Sequence, residues 1–334
     1  MSFFRSNRVV ACIAFLFCIS YIAIGQQDNE DSQSFSVLFY NIENLFDTIA
    51  SSCTNDSEFT PQSEKQWNTR KYYKKLHAIS KVIIAAGAWN PPDIIAFAEV
   101  ESPSCTRDIL SKTALSKMRY SYIHHESPDR RGIDVSLAYN PKTFIPLFDS
   151  AIAVTLPDEP HFATRDILYV KGIMSLWNDT LHVFALHFPS RFGGAKKSEY
   201  KRIAATNVLI SCISDIYAQL PSARIIVMGD FNDTPKNKAP QFLAAACSNN
   251  FIRLSDSNQL GTNVYKNMWH EIDQCYVSVS LHSNYTLTYS IISFDFMLQT
   301  DSHGRTKPFR TYAGPYYLGG YSDHLPILCR FQKP

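Results

Sequence analysis

Ile225-Ile226-Val227-Met228-Gly229-Asp230-Phe231-Asn232 sets a short, largely β-branched apolar run directly against an acid and an amide, with one glycine between. Such a run bounded by Gly, Asp and Asn reads as a buried strand whose polar end leaves the sheet at its rim. The pattern recurs along the chain. Asn41 and Glu43 follow Val37–Tyr40, Glu99 follows Ile94–Ala98, and His187, Ser190 and Arg191 follow Val183–Leu186. Asp273 lies within Ile272–Val279, and Ser322-Asp323-His324 precedes Leu325–Leu328.

Strand-length runs are also expected at Phe35–Ile42, Ile94–Val100, Tyr120–His125, Val135–Tyr139, Phe144–Thr155, Ile167–Leu176, Leu181–Phe188, Arg224–Met228, Ile272–Val279 and Leu287–Phe296. Trp67–Ala86 and Lys197–Leu220 carry apolar residues at helical spacing. Lys196, Lys197, Lys201 and Arg202 open the second helix, where they oppose its dipole and read either as a solvated face or as a contact for a phosphate backbone. Many strands, few helices and no interior linker or repeat predict one α/β domain over residues 35–334, two sheets packed face to face with helices outside.

The rim residues suit phosphoester chemistry. Glu43, Glu99, Asp230 and Asp323 offer oxygen ligands to a hard cation such as Mg²⁺. Asn41, Asn232, His187 and Arg191 offer donors to phosphate oxygens, and Asp230 or an Asp–His pair can orient or deprotonate water.

In this order, five segments resemble the signature of the endonuclease/exonuclease/phosphatase superfamily, which includes deoxyribonuclease-I-like and exonuclease-III-like enzymes. They are Phe39-Tyr40-Asn41-Ile42-Glu43, Pro92–Val100 (with Ala98 where Gln is usual), Gly229-Asp230-Phe231-Asn232, Ile272-Asp273-Gln274-Cys275-Tyr276-Val277-Ser278 and Ser322-Asp323-His324-Leu325-Pro326-Ile327. Leu186-His187-Phe188-Pro189-Ser190-Arg191 with Gly193-Gly194, and Arg131-Gly132-Ile133-Asp134-Val135, are similar to a secreted bacterial subgroup. The resemblance implies a four-layer α-β-β-α sandwich of two mixed β-sheets.

It also implies roles. Glu99 is the primary ligand of Mg²⁺ or Mn²⁺, with Glu43 a second ligand unless it is a loop acid. Asp323 completes the metal site or supports His324. Asp230 orients or deprotonates the attacking water, Asn41 and Asn232 hold the phosphate or position Asp230, and His324, fixed by Asp273, contacts the phosphate. His187 donates to the phosphate or leaving oxygen, with a buried structural histidine as the alternative. Arg191 pairs with phosphate, or is a surface arginine. Glu101, Asp233, Asp134 and Arg131 are neighbours of these motifs without assigned roles. His124, His125, His270 and His303 have no spacing that suggests metal. The tyrosine-rich stretch Tyr312–Tyr321 either stacks on bases or packs its loop.

Residues 1–25 read as a signal peptide. Arg5 and Arg8 precede the apolar run Val9–Ile24, and Ala23 and Gly25 precede a cut before Gln26. The competing reading is a membrane anchor, and residues 26–34 form a linker. A secreted or periplasmic monomer is expected. The formal net charge of +2 falls to near neutral once Arg5 and Arg8 are removed, so polyanion binding has to come from a local site. Six cysteines remain, of which Cys53 and Cys105, both in polar sequence, are the expected pair.

The function read from this is an endonuclease on nucleic-acid phosphodiesters. The alternatives are a phosphatase or phosphodiesterase on a lipid head group or small phosphoester, and a non-catalytic binding module on the same fold.

Overall fold

The computed structural model describes residues 34–88, 90–247, 250–257 and 261–334. The expected signal peptide, and all of the linker but residue 34, lie outside the described residues.

Two six-stranded mixed sheets face one another. The first contains β1 (Ser34–Leu45), β2 (Ile94–Val100), β3 (Ser121–His124), β4 (Asp134–Tyr139), β13 (Thr286–Ile291) and β18 (Ile327–Gln332), in the order β13-β18-β1-β2-β4-β3. The second contains β5 (Phe144–Ile152), β6 (Ile167–Met174), β7 (Asp179–His187), β8 (Ile225–Asp230), β9 (Phe251–Leu254) and β12 (Asp273–Ser278), in the order β5-β6-β7-β8-β12-β9. Hairpin β10 (Asn263–Tyr265) and β11 (Met268–His270) stands apart, as do the ribbons β14 (Leu298–Thr300) with β15 (Thr306–Pro308) and β16 (Tyr312–Ala313) with β17 (Tyr316–Tyr317).

Each sheet has one parallel pair at its centre, β1 with β2 and β7 with β8, while its other ladders are antiparallel. Parallel strands need both faces covered. The inner faces meet in one core that includes Val37, Phe39, Ala96, Val183, Met228 and Cys275. Helix α1 (Thr69–Ala86) covers the first sheet with Leu76, Ile79, Val82 and Ile83. Its first turn is capped by Asn68, whose side chain accepts from the Lys71 amide, and it stops at Gly87. A second core joins Phe184, Leu186, Ile225 and Val227 to Leu209 and Ile213 of the helix Glu199–Gln219 and Leu243 of the helix Lys238–Ala246. The layers therefore run α-β-β-α, as the resemblance implied.

Two details differ from the sequence reading. The six described cysteines are all free. Cys53 is exposed, whereas Cys105 is buried in the helix Pro103–Ser111 with its Sγ 3.8 Å from Glu101 Oε2, so the expected pair does not form. Burial pushes the Cys105 thiol up to about 12. Arg202 is not solvated either: it is buried under the helix start and ion-paired at 2.7 Å with Asp233.

Candidate active site at the sheet rim

The carboxyl ends of the two parallel pairs open on the same rim, where strands part and ligands reach backbone and side chains. β1 and β2 keep register to Asn41 opposite Ala98; the next pair is Leu45 with Val100, so β1 spends more residues than β2 over the same span. The bulge turns Glu43 (φ 54°), Asn44 (φ 51°) and Glu99 (φ 67°) into the left-handed region, which costs a non-glycine residue about 1–3 kcal/mol. Local hydrogen bonds offset that strain, from Glu43 N to Asn41 Oδ1 (3.1 Å) and from Asn44 N to Glu99 Oε2 (2.8 Å). At the end of β8, Asn232 is also left-handed (φ 50°), and its amide donates to Asp230 Oδ1 at 2.8 Å. Gly229 is required one residue earlier, since a Cβ there would lie 2.3 Å from the Leu186 carbonyl oxygen.

These devices bring distant residues together. Asn41 Nδ2 donates to Asp230 Oδ2 at 3.1 Å and to Glu99 Oε1 at 3.4 Å. His187 Nε2 lies 3.6 Å from Asp230 Oδ2 and 3.9 Å from Glu99 Oε1. His324 Nδ1 bonds Asp273 Oδ2 at 2.8 Å, which leaves its Nε2 3.9 Å from Asp230 Oδ2. Ser322 Oγ donates to the Asn41 carbonyl (2.7 Å) and accepts from the His324 amide (3.1 Å), so the terminal motif is fastened to β1. Glu99, His187, Asp230, Asn232, Asp323 and His324 line one cavity of about 590 Å³.

Burial and neighbouring charge separate the protonation states. Burial first, then the charges of Asp273 and Glu99, push Asp230 up to about 7 against the opposing pull of His324 and the Asn232 amide. Burial, reinforced by Arg165, Arg131 and His324, holds His187 well below its ordinary value, hence neutral. For His324 burial opposes the charged form, yet the charge and hydrogen bond of Asp273, with Asp230 and Asp323, outweigh it and hold the imidazole well above its ordinary value. The site therefore pairs an acid poised near neutrality with an imidazolium.

Three expected residues are held differently. Glu43 Oε2 accepts from the Thr311 amide (2.6 Å), and Oε1 faces Arg310 Nε at 3.4 Å. With Lys75 Nζ at 3.9 Å, this carboxylate lies among protein groups in a neighbouring cavity, while burial and the charge of Asp323 still hold it above the ordinary carboxylate range. Arg310 also grips Asp323 Oδ2 at 3.1 Å, so Asp323 sits between a guanidinium and His324. Arg191 spends its Nε on the Asn232 carbonyl (2.6 Å) and its Nη2 on Asp233 (3.0 Å) and Asn237 (2.8 Å), which makes it the clamp of the loop after β8. Asn232 donates to the Phe188 carbonyl at 3.0 Å and takes the positioning role.

The cavity also contains residues to which the sequence reading gave no role: Arg131, Phe192, Asn263, Tyr265 and His270. Arg131 and Phe192 stood in quoted motifs; Asn263, Tyr265 and His270 had no such signal, because the hairpin that carries them is too short to show periodicity. The tyrosine-rich segment packs its loop, with Lys71 and Lys74 over Tyr317 and Lys81 over Tyr321. His124, read as having no metal partner, has ligand atoms grouped with Glu126 and Asp134, and its Nε2 lies 3.2 Å from Asp134.

The donor set fits a hard divalent cation. Glu99 and Asp230 are drawn together by one amide, and buried Asp230 stays partly protonated for want of positive charge, which is the environment such an ion relieves. Asp230, Asp273 and His324 also offer ligand atoms within 4.8 Å of one another, although the hydrogen bond between the last two commits that edge.

A carboxylate–amide–histidine cluster at the shared rim of a two-sheet sandwich defines the phosphoester-hydrolase class. The chain belongs to the endonuclease/exonuclease/phosphatase family, whose model matches residues 36–333. Among solved structures it is similar to truncated Caenorhabditis elegans TDP2 (16% identity, 90% of this chain and 98% of that one, TM-score 0.55). It is also similar to the human Nocturnin catalytic domain (16%, 90% and 95%, TM-score 0.56) and to a Bacteroides thetaiotaomicron mannosyl-6-phosphatase (15%, 89% and 99%, TM-score 0.57). At these identities the likeness is one of fold. No curated protein matches the chain.

Proposed function

We propose that this chain is an exported, divalent-metal-dependent phosphodiesterase acting on nucleic acid. The observation that carries the reading is the convergence of Glu99, Asp230 and the Asp273-braced His324 on one cavity. Glu99 would hold the cation with Asp230 beside it, and the ion would supply Lewis-acid stabilisation of a phosphoryl oxygen. Asp230, held by the Asn41 side chain and the Asn232 amide, takes the proton of the attacking water. The His324 imidazolium, its Nδ1 given to Asp273, presents Nε2–H to a non-bridging oxygen. Neutral His187 and the Asn41 amide fix the geometry of the carboxylates.

Of the two arginines in the described lining, Arg191 is bound to protein acceptors through Nε and Nη2, whereas Arg131 reaches Asp129 only at 3.8 Å, so Arg131 is the guanidinium left to meet a phosphate beside the His324 imidazolium. One set of exposed apolar residues, Ile145, Leu147 and Phe148, lies at the start of β5, which pairs through Met174 towards Asp179, the end of β7 remote from His187, and gives a lipid substrate no support; a second set, Phe192 and Tyr265, lines the cavity itself. Export rests on Arg5, Arg8, the run Val9–Ile24 and the small residues Ala23 and Gly25, and membership of a secreted bacterial subgroup on His187–Arg191 with Gly193-Gly194.

The test is a side-by-side assay of the chain lacking residues 1–25 on plasmid DNA, RNA, a generic phosphodiester, sphingomyelin and mannose 6-phosphate, with Mg²⁺ or Mn²⁺ and with EDTA. Metal-dependent cleavage of nucleic acid is expected. Hydrolysis of mannose 6-phosphate with none of the diesters would replace this reading with a sugar phosphatase.

A further inference from the structure

Two large rings in the mouth of the cavity take no part in the chemistry above. Phe192 is 93% exposed and Tyr265 59% exposed, and both line the cavity that contains Asp230 and His324. Single exposed apolar side chains need no explanation. Two aromatic rings converging on one catalytic cavity, with Ile272 in the same lining, present an apolar surface that water wets poorly.

Their settings differ in a useful way. Phe192 precedes Gly193 (φ +78°) and Gly194 (φ +118°), where an added Cβ would meet nothing within 4 Å. These glycines are there for backbone shape, and the turn they make is closed by the Gly194 amide on the Arg191 carbonyl at 2.9 Å. Tyr265 is anchored differently. It ends β10 at a two-residue turn through Lys266 (φ 49°) and Asn267 (φ 63°), a hairpin geometry that fixes register. Asn263 of the same strand donates to the Asp323 carbonyl at 2.9 Å and bridges to His324, and the Leu325 amide donates to the Thr262 carbonyl at 2.7 Å. The tyrosine is thus tied to the catalytic histidine's own segment. His270, whose ring centroid lies 6.5 Å from that of Tyr265, has an Nε2 with no protein partner.

We infer that Phe192 and Tyr265 form an aromatic subsite that stacks on a nucleobase next to the phosphate held at Asp230 and His324. The inference deepens the nucleic-acid reading and rests on it. Stacking on π-faces tolerates any base, and it supplies affinity without cations. That suits a cavity with a single available arginine in a chain of near-neutral charge.

The test is calorimetric binding of adenosine 5′-monophosphate and of ribose 5-phosphate to the full domain, with Ca²⁺ in the buffer. The two ligands share the phosphate and sugar and differ in the base. The nucleotide should bind roughly tenfold more tightly. Phe192→Ala and Tyr265→Ala should each shrink that difference and leave ribose 5-phosphate unchanged, while Phe192→Trp should restore it. Equal affinity for the two ligands, no binding of either, or a preference that survives both alanine substitutions would overturn the subsite. The readout is independent of turnover, so a base preference without nucleic-acid cleavage would sink the nuclease reading alone.

Discussion

The side-chain amide of Asn41 donates to Asp230 Oδ2 at 3.1 Å, and so joins the end of a strand in one sheet to the end of a strand in the other. The same nitrogen reaches Glu99 Oε1, which makes one residue responsible for the spacing of two carboxylates. Asn41→Ala should leave buried Asp230 short of a donor and the carboxylates free to separate. We expect a loss of about 1–3 kcal/mol in stability, read from denaturant unfolding, together with a fall in kcat. Asn41→Asp, which adds a negative charge where three already gather, should be worse in both measurements.

Asp273 is paired in register with Asp230 and fixes the ring of His324. Asp273→Asn keeps the shape but removes the charge that holds the imidazolium and its tautomer. A drop in kcat on the order of 10²–10⁴ is expected, with circular dichroism and melting temperature close to those of the parent. Unchanged kcat would show that His324 needs no such brace.

Arg191 and Arg131 should separate cleanly. Arg191→Ala releases the loop of Asn232, Asp233 and Asn237, so it should lower thermal stability, by about 1–3 kcal/mol. Arg131→Ala removes exposed charge from the cavity and should raise KM with little effect on melting. The reverse pattern would return the phosphate contact to Arg191.

Most of the sandwich was legible because a buried parallel pair requires continuous apolar runs, and Ile94–Val100 and Ile225–Met228 have them. Most of the elements that escaped are short or solvent-facing, namely the hairpin Asn263–His270, strand β9 and the helices Pro103–Ser111 and Lys238–Ala246, but β18, buried between β13 and β1, was not among the expected runs either. In the site, Asn41, Glu99, His187, Asp230, Asp273 and His324 could be read because each ends or begins a strand. The fate of Glu43 could not. Its partners Lys75, Thr311 and Arg310 lie far along the chain, and only the folded loop shows that their charges and amides meet its carboxylate. The protein acceptors of Arg191 were hidden for a related reason: Asp233 and Asn237 are brought to it by the left-handed turn at Asn232.

Away from the site, His182 in β7 bonds the Tyr169 hydroxyl through Nδ1 at 2.7 Å and buries Nε2 without a partner. Burial, helped by the charge of Lys171, pushes its pKa from 6.5 down to about 4. Between those values the unfolded chain binds the proton and the folded chain does not. This stabilising contribution is therefore complete above about pH 6.5 and is lost as pH falls towards 4. His182→Gln should flatten this acid limb by about 1–2 kcal/mol, after allowance for solvent screening, in unfolding curves taken at pH 4.5 and 7.5.

The most direct test of the shared rim site is the Mg²⁺-supported rate of phosphodiester hydrolysis by the parent domain against Asp230→Ala and His324→Ala, with folding checked by melting. Each substitution alone should remove roughly 10³-fold or more of kcat while the domain stays folded, and the double variant should lose little beyond either single one, since the residues act as a unit. Folded single variants that hydrolyse at the parent rate would contradict a shared rim site.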